Sequence, residues 1–334
     1  MLAVAGAVVS GALVATQSRI NGELSVALSD GYLAAFISFG FGCVIIAVIV
    51  AALPVPRRGV AVILGSIRAG STPWWFASGG VAGALFVLSQ GLTGAILGVA
   101  LFTVATVTGQ TLSAMIVDRR GLGTMHPKPI TRYRLIGAAL AVVAVGFSVA
   151  PQVQFGTAPW ALILPVLAGF GLAWQQAFNG QLRVISGSAL TATFFNFVVG
   201  ASVLGIILLV HAAFVGLPVQ LAANPWLYLG GPIGVVFILG YTIVVRYTGV
   251  LVLGLSAIAG QLAASVVFDL LLPVAGRAVA WTTVAGTALT LVAIGITAIR
   301  PRWGDTPAAA PAAPAPAAAP APAGSAAATA KATA

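Results

Sequence analysis

Gln17-Ser18-Arg19-Ile20-Asn21-Gly22-Glu23-Leu24 returns, altered, as Gln175-Gln176-Ala177-Phe178-Asn179-Gly180-Gln181-Leu182. The offset is 158 residues for the glutamine (175 − 17) and for the asparagine (179 − 21), so no gap separates the copies. Downstream, Ala34, Phe36, Phe39 and Gly42 fall on Ala192, Phe194, Phe197 and Gly200 at the same offset. Polar side chains are costly in such apolar surroundings. An amide-rich device kept twice therefore points to internal duplication, a signature of membrane transporters.

Composition carries the same message. The 334 residues are 60% hydrophobic and 6% charged, with a mean hydropathy of +1.10, whereas an ordinary soluble domain is about 25% charged. Apolar stretches of about 20 residues, enough to cross a hydrocarbon layer, fill most of the chain. Runs such as Cys43-Val44-Ile45-Ile46-Ala47-Val48-Ile49-Val50 do not alternate, which excludes a β-barrel. The expectation is an all-α polytopic membrane protein. The net charge of +10 and pI near 11.1 do not indicate nucleic acid, because the basic residues form no patch interleaved with aromatics. The single cysteine, Cys43, forms no intrachain disulfide. The first fifteen residues lack a basic leader and precede a pattern that returns at residue 175, so they read as a retained helix rather than a signal peptide.

Ten spans can be drawn, near 2–22, 31–53, 74–91, 94–117, 131–150, 160–180, 188–214, 226–245, 248–271 and 279–299. Pro54, Pro56, Pro151, Pro218 and Pro225 mark boundaries, since proline interrupts helical hydrogen bonding. Trp74, Trp75, Trp160, Trp226, Trp281 and Trp303 sit at or beside span ends, where indole rings anchor to headgroups. Arg57, Arg58 and Arg68 fall between spans two and three. Arg119, Arg120, Lys128, Arg132 and Arg134 fall between four and five, and Arg300 and Arg302 follow span ten. All lie on one side if both termini are cytoplasmic, as the positive-inside bias requires.

The duplication continues through each half. Pro73-Trp74 matches Pro225-Trp226, and after a one-residue gap Gly109-Gln110 and Asp118 match Gly260-Gln261 and Asp269. Two repeats follow, residues 1–150 and 151–302, each of five spans. An odd number makes the second enter the membrane from the opposite side, giving two inverted five-helix repeats. Residues 303–334 are rich in alanine and proline and read as a disordered cytoplasmic tail.

The Gln-x-x-x-Asn-Gly-x-Leu pattern in spans one and six, on a five-plus-five architecture, resembles the YdcZ-like branch of the drug/metabolite transporter superfamily over residues 1–300. That resemblance implies an inner-membrane carrier or exporter of small molecules. Some members of the branch are single five-span chains that pair up, whereas this chain is a fused pair.

Gln17 and Asn21 are spaced i, i+4 and share a helix face, as do Gln175 and Asn179. Facing lipid they would leave polar atoms unpaired, so they face the bundle interior, where they either join helices or line a cavity. Gly22 and Gly180 would permit a helix end or kink there. Along span four run Thr103, Thr106, Gln110 and Ser113, of which only Gln110 has a polar counterpart, Gln261. The hydroxyls are expected to satisfy their own backbone carbonyls. Cavity lining stays open for the two glutamines. Arg19 and Glu23, also i, i+4, read as an ion pair or, for Glu23, a proton-coupling site. Asp118 and Asp269 read as residues that cap or orient helices. Gly79-x-x-x-Gly83, Gly94-x-x-x-Gly98 and Gly230-x-x-x-Gly234 would allow close helix approach.

Enzyme chemistry is not indicated. His126 and His211 are far apart and at span edges, so neither a metal cluster nor a serine–histidine pair forms. No charge ring or filter-like loop suggests a channel, the alternative alongside an assembly scaffold. The expectation is a secondary transporter of a neutral, zwitterionic or amphipathic solute, working by alternating access through a cavity lined by Gln17, Asn21, Gln175, Asn179, Gln110 and Gln261. It would need no cofactor, no metal and no nucleic acid. Its partners would be the small-molecule substrate and the lipid bilayer, with a homo-oligomer left open.

Overall fold

Two short turns organise the helices. At the first, Ser29 takes a left-handed φ of 51°, and the Asp30 carboxylate then accepts the amides of Tyr32 and Leu33 at 2.8 and 3.0 Å. At the second, 158 residues on, Gly187 takes φ 65° and the Ser188 hydroxyl accepts the amide of Thr191 at 3.3 Å. Each turn ends one helix and caps the next, as short polar side chains do at helix starts. The flanking helices are α1 (Leu2–Leu28) and α2 (Gly31–Ala52) in the first case, and α7 (Pro159–Ser186) and α8 (Ala189–Val215) in the second.

The computed structural model describes residues 2–122, 132–154, 158–217, 221–272 and 280–297. Between α2 and α7 lie α3 (Pro54–Arg68), a 3₁₀ turn (Trp74–Ser78), α4 (Gly79–Leu97), α5 (Val99–Arg120) and α6 (Arg132–Gln154). After α8 come a second 3₁₀ turn (Pro225–Tyr228), α9 (Gly230–Leu271) and α10 (Trp281–Thr297). Among the described residues there is no strand. Helices α1, α2, α4 with its preceding turn, α5, α7 and α8 are each long and apolar enough to cross a membrane. Their outward residues, such as Phe41, Val44 and Val48 on α2 and Leu209 and Phe214 on α8, are exposed, as lipid-facing positions are. The chain is a multi-pass helical membrane protein. The Ala/Pro-rich stretch 303–334 lies outside the described residues.

Several boundaries differ from the sequence expectation. Neither Gly22 nor Gly180 ends its helix: α1 runs on to Leu28 and α7 to Ser186. Gly22 is instead a contact point, where an added Cβ would lie 3.3 Å from the Ala95 amide nitrogen. The third and fourth spans part at Gly98, whose φ of 78° only glycine adopts freely. The segment read as a loop bearing Arg57, Arg58 and Arg68 is helix α3. Spans eight and nine, drawn as separate, form one helix, α9. It is bent, because Val244 meets Gly6 of α1 while Gly260 meets Val8. Sixteen residues of straight helix would cover about 24 Å, far more than the gap between Gly6 and Val8, so both legs of α9 lie against α1.

The packing is reciprocal. Helices α2 and α8 run antiparallel, with Phe39 against Gly200 and Phe197 against Gly42. An added Cβ on Gly80 would meet the carbonyl of Asn196 and lie 2.7 Å from the Gly200 nitrogen. On Gly231 it would meet the carbonyl of Ser38 and lie 2.7 Å from the Gly42 nitrogen. Gly109 meets Val166 and Gly169 meets Thr106, while Gly260 meets Val8 and Gly11 meets Ala257. In every case both partners are counterparts under the sequence offsets. Glycine at these places lets helix backbones touch.

Candidate functional site

At the centre of this packing the rings of Phe39 and Phe197 lie 4.8 Å apart, tilted by 43°, and both are buried. An amide cluster flanks each ring. Beside Phe197, Gln17 Nε2 donates to the carbonyl of Gly230 at 2.9 Å. Asn21 Nδ2 donates to Gln90 Oε1 at 2.6 Å, and Gln90 Nε2 donates to Ser18 Oγ at 2.8 Å. Ser18 in turn donates to the carbonyl of Val14 at 3.0 Å. Beside Phe39, Gln175 Nε2 donates to Asn196 Oδ1 at 2.7 Å, and Asn179 Nδ2 makes a long contact with the same oxygen at 3.5 Å.

Orientation in the first cluster is dictated by the backbone. A carbonyl can only accept, so Gly230 fixes the Gln17 amide with its nitrogen inward. Val14 fixes the Ser18 hydroxyl, Ser18 fixes Gln90, and Gln90 fixes Asn21. What remains are Gln17 Oε1 and Asn21 Oδ1, both buried without a partner. In the second cluster the unpartnered buried atoms are again the oxygens, Gln175 Oε1 and Asn179 Oδ1. In each of the four amides chosen from sequence the nitrogen thus has a partner and the oxygen has none. Backbone approach around them is close. An added Cβ on Gly79 would lie 3.1 Å from Asn179 Oδ1, and one on Gly230 would collide with Asn21 Oδ1.

Gln110 and Gln261 are not brought into either cluster. Their neighbours Gly109 and Gly260 pack at Val166 and Val8, nine residues or about 13 Å of helix from Gln175 and Gln17. Gln90, Ser18 and Asn196 are members that the sequence reading missed. The counterpart of Gln90 is Tyr241 and that of Asn196 is Ser38, so the duplication did not flag them. A lone amide inside an apolar span was the available signal. The polar stripe on α5 also differs from expectation: the buried hydroxyls of Thr103, Thr106 and Ser113 have no partner. Bonds to a backbone carbonyl one turn back are made instead by Ser10, Thr16, Ser18, Thr93 and Thr111.

Charged groups gather at the start of α5. Asp269 of α9 accepts the amides of Val99 at 2.9 Å and Ala100 at 2.7 Å, capping α5 where Gly98 breaks the chain. Arg19 of α1 lies within electrostatic reach of that carboxylate, and its Nε donates to Glu23 Oε1 at 2.6 Å. The Asp118 side chain lies outside the described residues.

Two stretches, residues 2–147 and 160–296, match the family described as "Putative inner membrane exporter, YdcZ". The chain belongs to the YdcZ family. The two matched stretches carry the two amide motifs, one each. Membership supports a membrane transporter or exporter in general, a class that is not enzymatic. No curated protein matches the chain.

Proposed function

We propose that this YdcZ-family protein is a secondary carrier, an exporter of small metabolites or drug-like solutes working by alternating access. Its ten crossings form two inverted five-helix repeats, residues 1–150 and 151–302, with both termini cytoplasmic and the bent α9 supplying two crossings. What supports inversion is that counterpart helices α2 and α8 pack antiparallel around Phe39 and Phe197. A twofold axis between antiparallel helices lies in the membrane plane. In this reading the phenyl pair closes the path between the amide clusters, and rocking of the repeats parts it.

The observation that carries the substrate reading is the set of unpartnered oxygens on Gln17, Asn21, Gln175 and Asn179. Buried acceptors call for donors, so the solute presents N–H or O–H groups. Gln110 and Gln261 would line the path further along the bundle. Glu23 serves coupling only if its pair with Arg19 opens during the cycle.

The test is a thermal-shift screen of purified protein against amine- and hydroxyl-bearing solutes, since a ligand bound only by the folded state raises its stability. Hits go into proteoliposomes. Expected are saturable flux and loss of the shift in N21A/N179A. Non-saturating conductance would favour a channel, and a shift unchanged in the double variant would remove the amides from the site.

A further inference from the structure

Helix α3 carries a separate surface. Pro56, Gly59 and Ile63, spaced three and four apart, are buried. The carbonyl of Pro56 accepts the Thr191 hydroxyl at 2.9 Å, and Gly59 lies against Ser186 and Thr191. Ile63 packs with Leu182 and Ala192, and Ile67 joins Phe76 and Ile185 in the same cluster. All these contacts are to the last turns of α7, the first turns of α8 and the turn before α4. Helix α3 therefore lies across one end of the bundle.

Its outward side is built in three strips. Val62 and Leu64, both exposed, stand about 100° to either side of Ile63. Arg57, Arg58 and Arg68, all exposed, stand about 120–140° away from it, on the far crest. Arg183, exposed beside the buried Leu182, adds a fourth guanidinium at the same end. No acid occurs in α3, in 69–78 or in 181–190. Trp74 and Trp75, largely exposed next to this end, are the residues that favour headgroup depth. The linker in the matching place of the second half, Gly216–Asn224, has no basic residue. The counterpart linker thus carries no such crest.

We infer that α3 and Arg183 form a docking surface for the phosphates of anionic lipid headgroups in one leaflet. The apolar shoulders sit among acyl chains, the buried face holds the helix on α7 and α8, and the arginines pair with lipid phosphate, for which guanidinium is well shaped. This rests on the chain spanning a membrane and not on its transport activity.

The experiment reconstitutes the full protein in vesicles of equal phosphatidylglycerol and phosphatidylcholine and counts retained lipids by native mass spectrometry. Wild type should keep phosphatidylglycerol preferentially. Each of R57Q and R58Q should lower that preference about fivefold, and R57Q/R58Q/R68Q should bring it near parity. R132Q, an exposed arginine on α6, should leave it intact. Parity in wild type, or an equal loss in R132Q, overturns the inference. Displacement of the lipid by inorganic phosphate also overturns it, in favour of a soluble-anion site. A measurement that needs no variant is tryptophan quenching by brominated lipids. Brominated phosphatidylglycerol should quench more than brominated phosphatidylcholine, and equal quenching counts against the surface.

Discussion

Asn21 is tied at its nitrogen and free at its oxygen because a backbone carbonyl four residues before Ser18 orients everything between them. The strength of that tie is measurable. An N21A/Q90A double-mutant cycle on thermal stability should give a coupling of about 0.6 kcal/mol, the average for interhelical hydrogen bonds in membranes, and no more than about 1.7 kcal/mol. A coupling of zero would mean that the two amides do not meet. Glycines make an equally sharp residue-level contrast. A methyl on Gly231 would run into the Ser38 carbonyl, whereas Gly180 has nothing within 4 Å. G231A should therefore destabilise by about 1–3 kcal/mol through overpacking. G180A should be neutral or stabilise by up to about 1 kcal/mol, since alanine is the better helix former. Unfolding midpoints in detergent decide between them, and the same ordering should appear for G80A, the counterpart of G231A.

Among the elements, α5 depends on a residue from another helix. Its first amides, at Val99 and Ala100, are held by Asp269 of α9, so D269A should cost about 0.5–2 kcal/mol as lost caps do. D269N keeps one of the two acceptors that Val99 and Ala100 use and should cost less. Equal losses would mean that the cap needs both carboxylate oxygens. The sequence reading reached Asp269 as a capping residue because its counterpart Asp118 stands in the same register. It reached the amide helices because Gln17, Asn21, Gln175 and Asn179 repeat. It did not reach α3, whose apolar positions Pro56, Gly59, Ile63 and Ile67 have helical spacing but too few residues to cross a bilayer. Nor did it reach the continuity of α9: a stretch too long for one crossing reads as two spans parted near 245–248, beside Gly249, the counterpart of Gly98, whereas the helix bends there without ending. Gln90 and Asn196 escaped because their counterparts, Tyr241 and Ser38, carry no amide. Duplication made visible what both halves share, and the packing that only one half makes stayed hidden.

For the whole molecule, the arrangement of ends can be tested without a substrate. The α1–α2 turn at Ser29 and the end of α8 at Gly216 belong to one face, since Asp30 Oδ2 lies 3.5 Å from His211 Nε2. Helix α3 and the α7–α8 turn belong to the other, since Gly59 lies against Ser186. In a C43S background, single cysteines at 29, 57, 183 and 216 can be labelled in intact cells with a membrane-impermeant maleimide. With the amino terminus cytoplasmic, positions 29 and 216 should react, while 57 and 183 should react only after permeabilisation. The reverse pattern would invert the topology but keep the fold. Reaction of 29 and 57 from the same side would break it, because α2 spans the distance between them. Twofold packing predicts one further equality. F39A and F197A each remove half of the central ring pair, so each should cost about 3–5 kcal/mol and lower the unfolding midpoint by the same amount. A large difference between the two would mean that the halves do not share one axis at that pair, and alternating access between matched conformations would lose its structural basis.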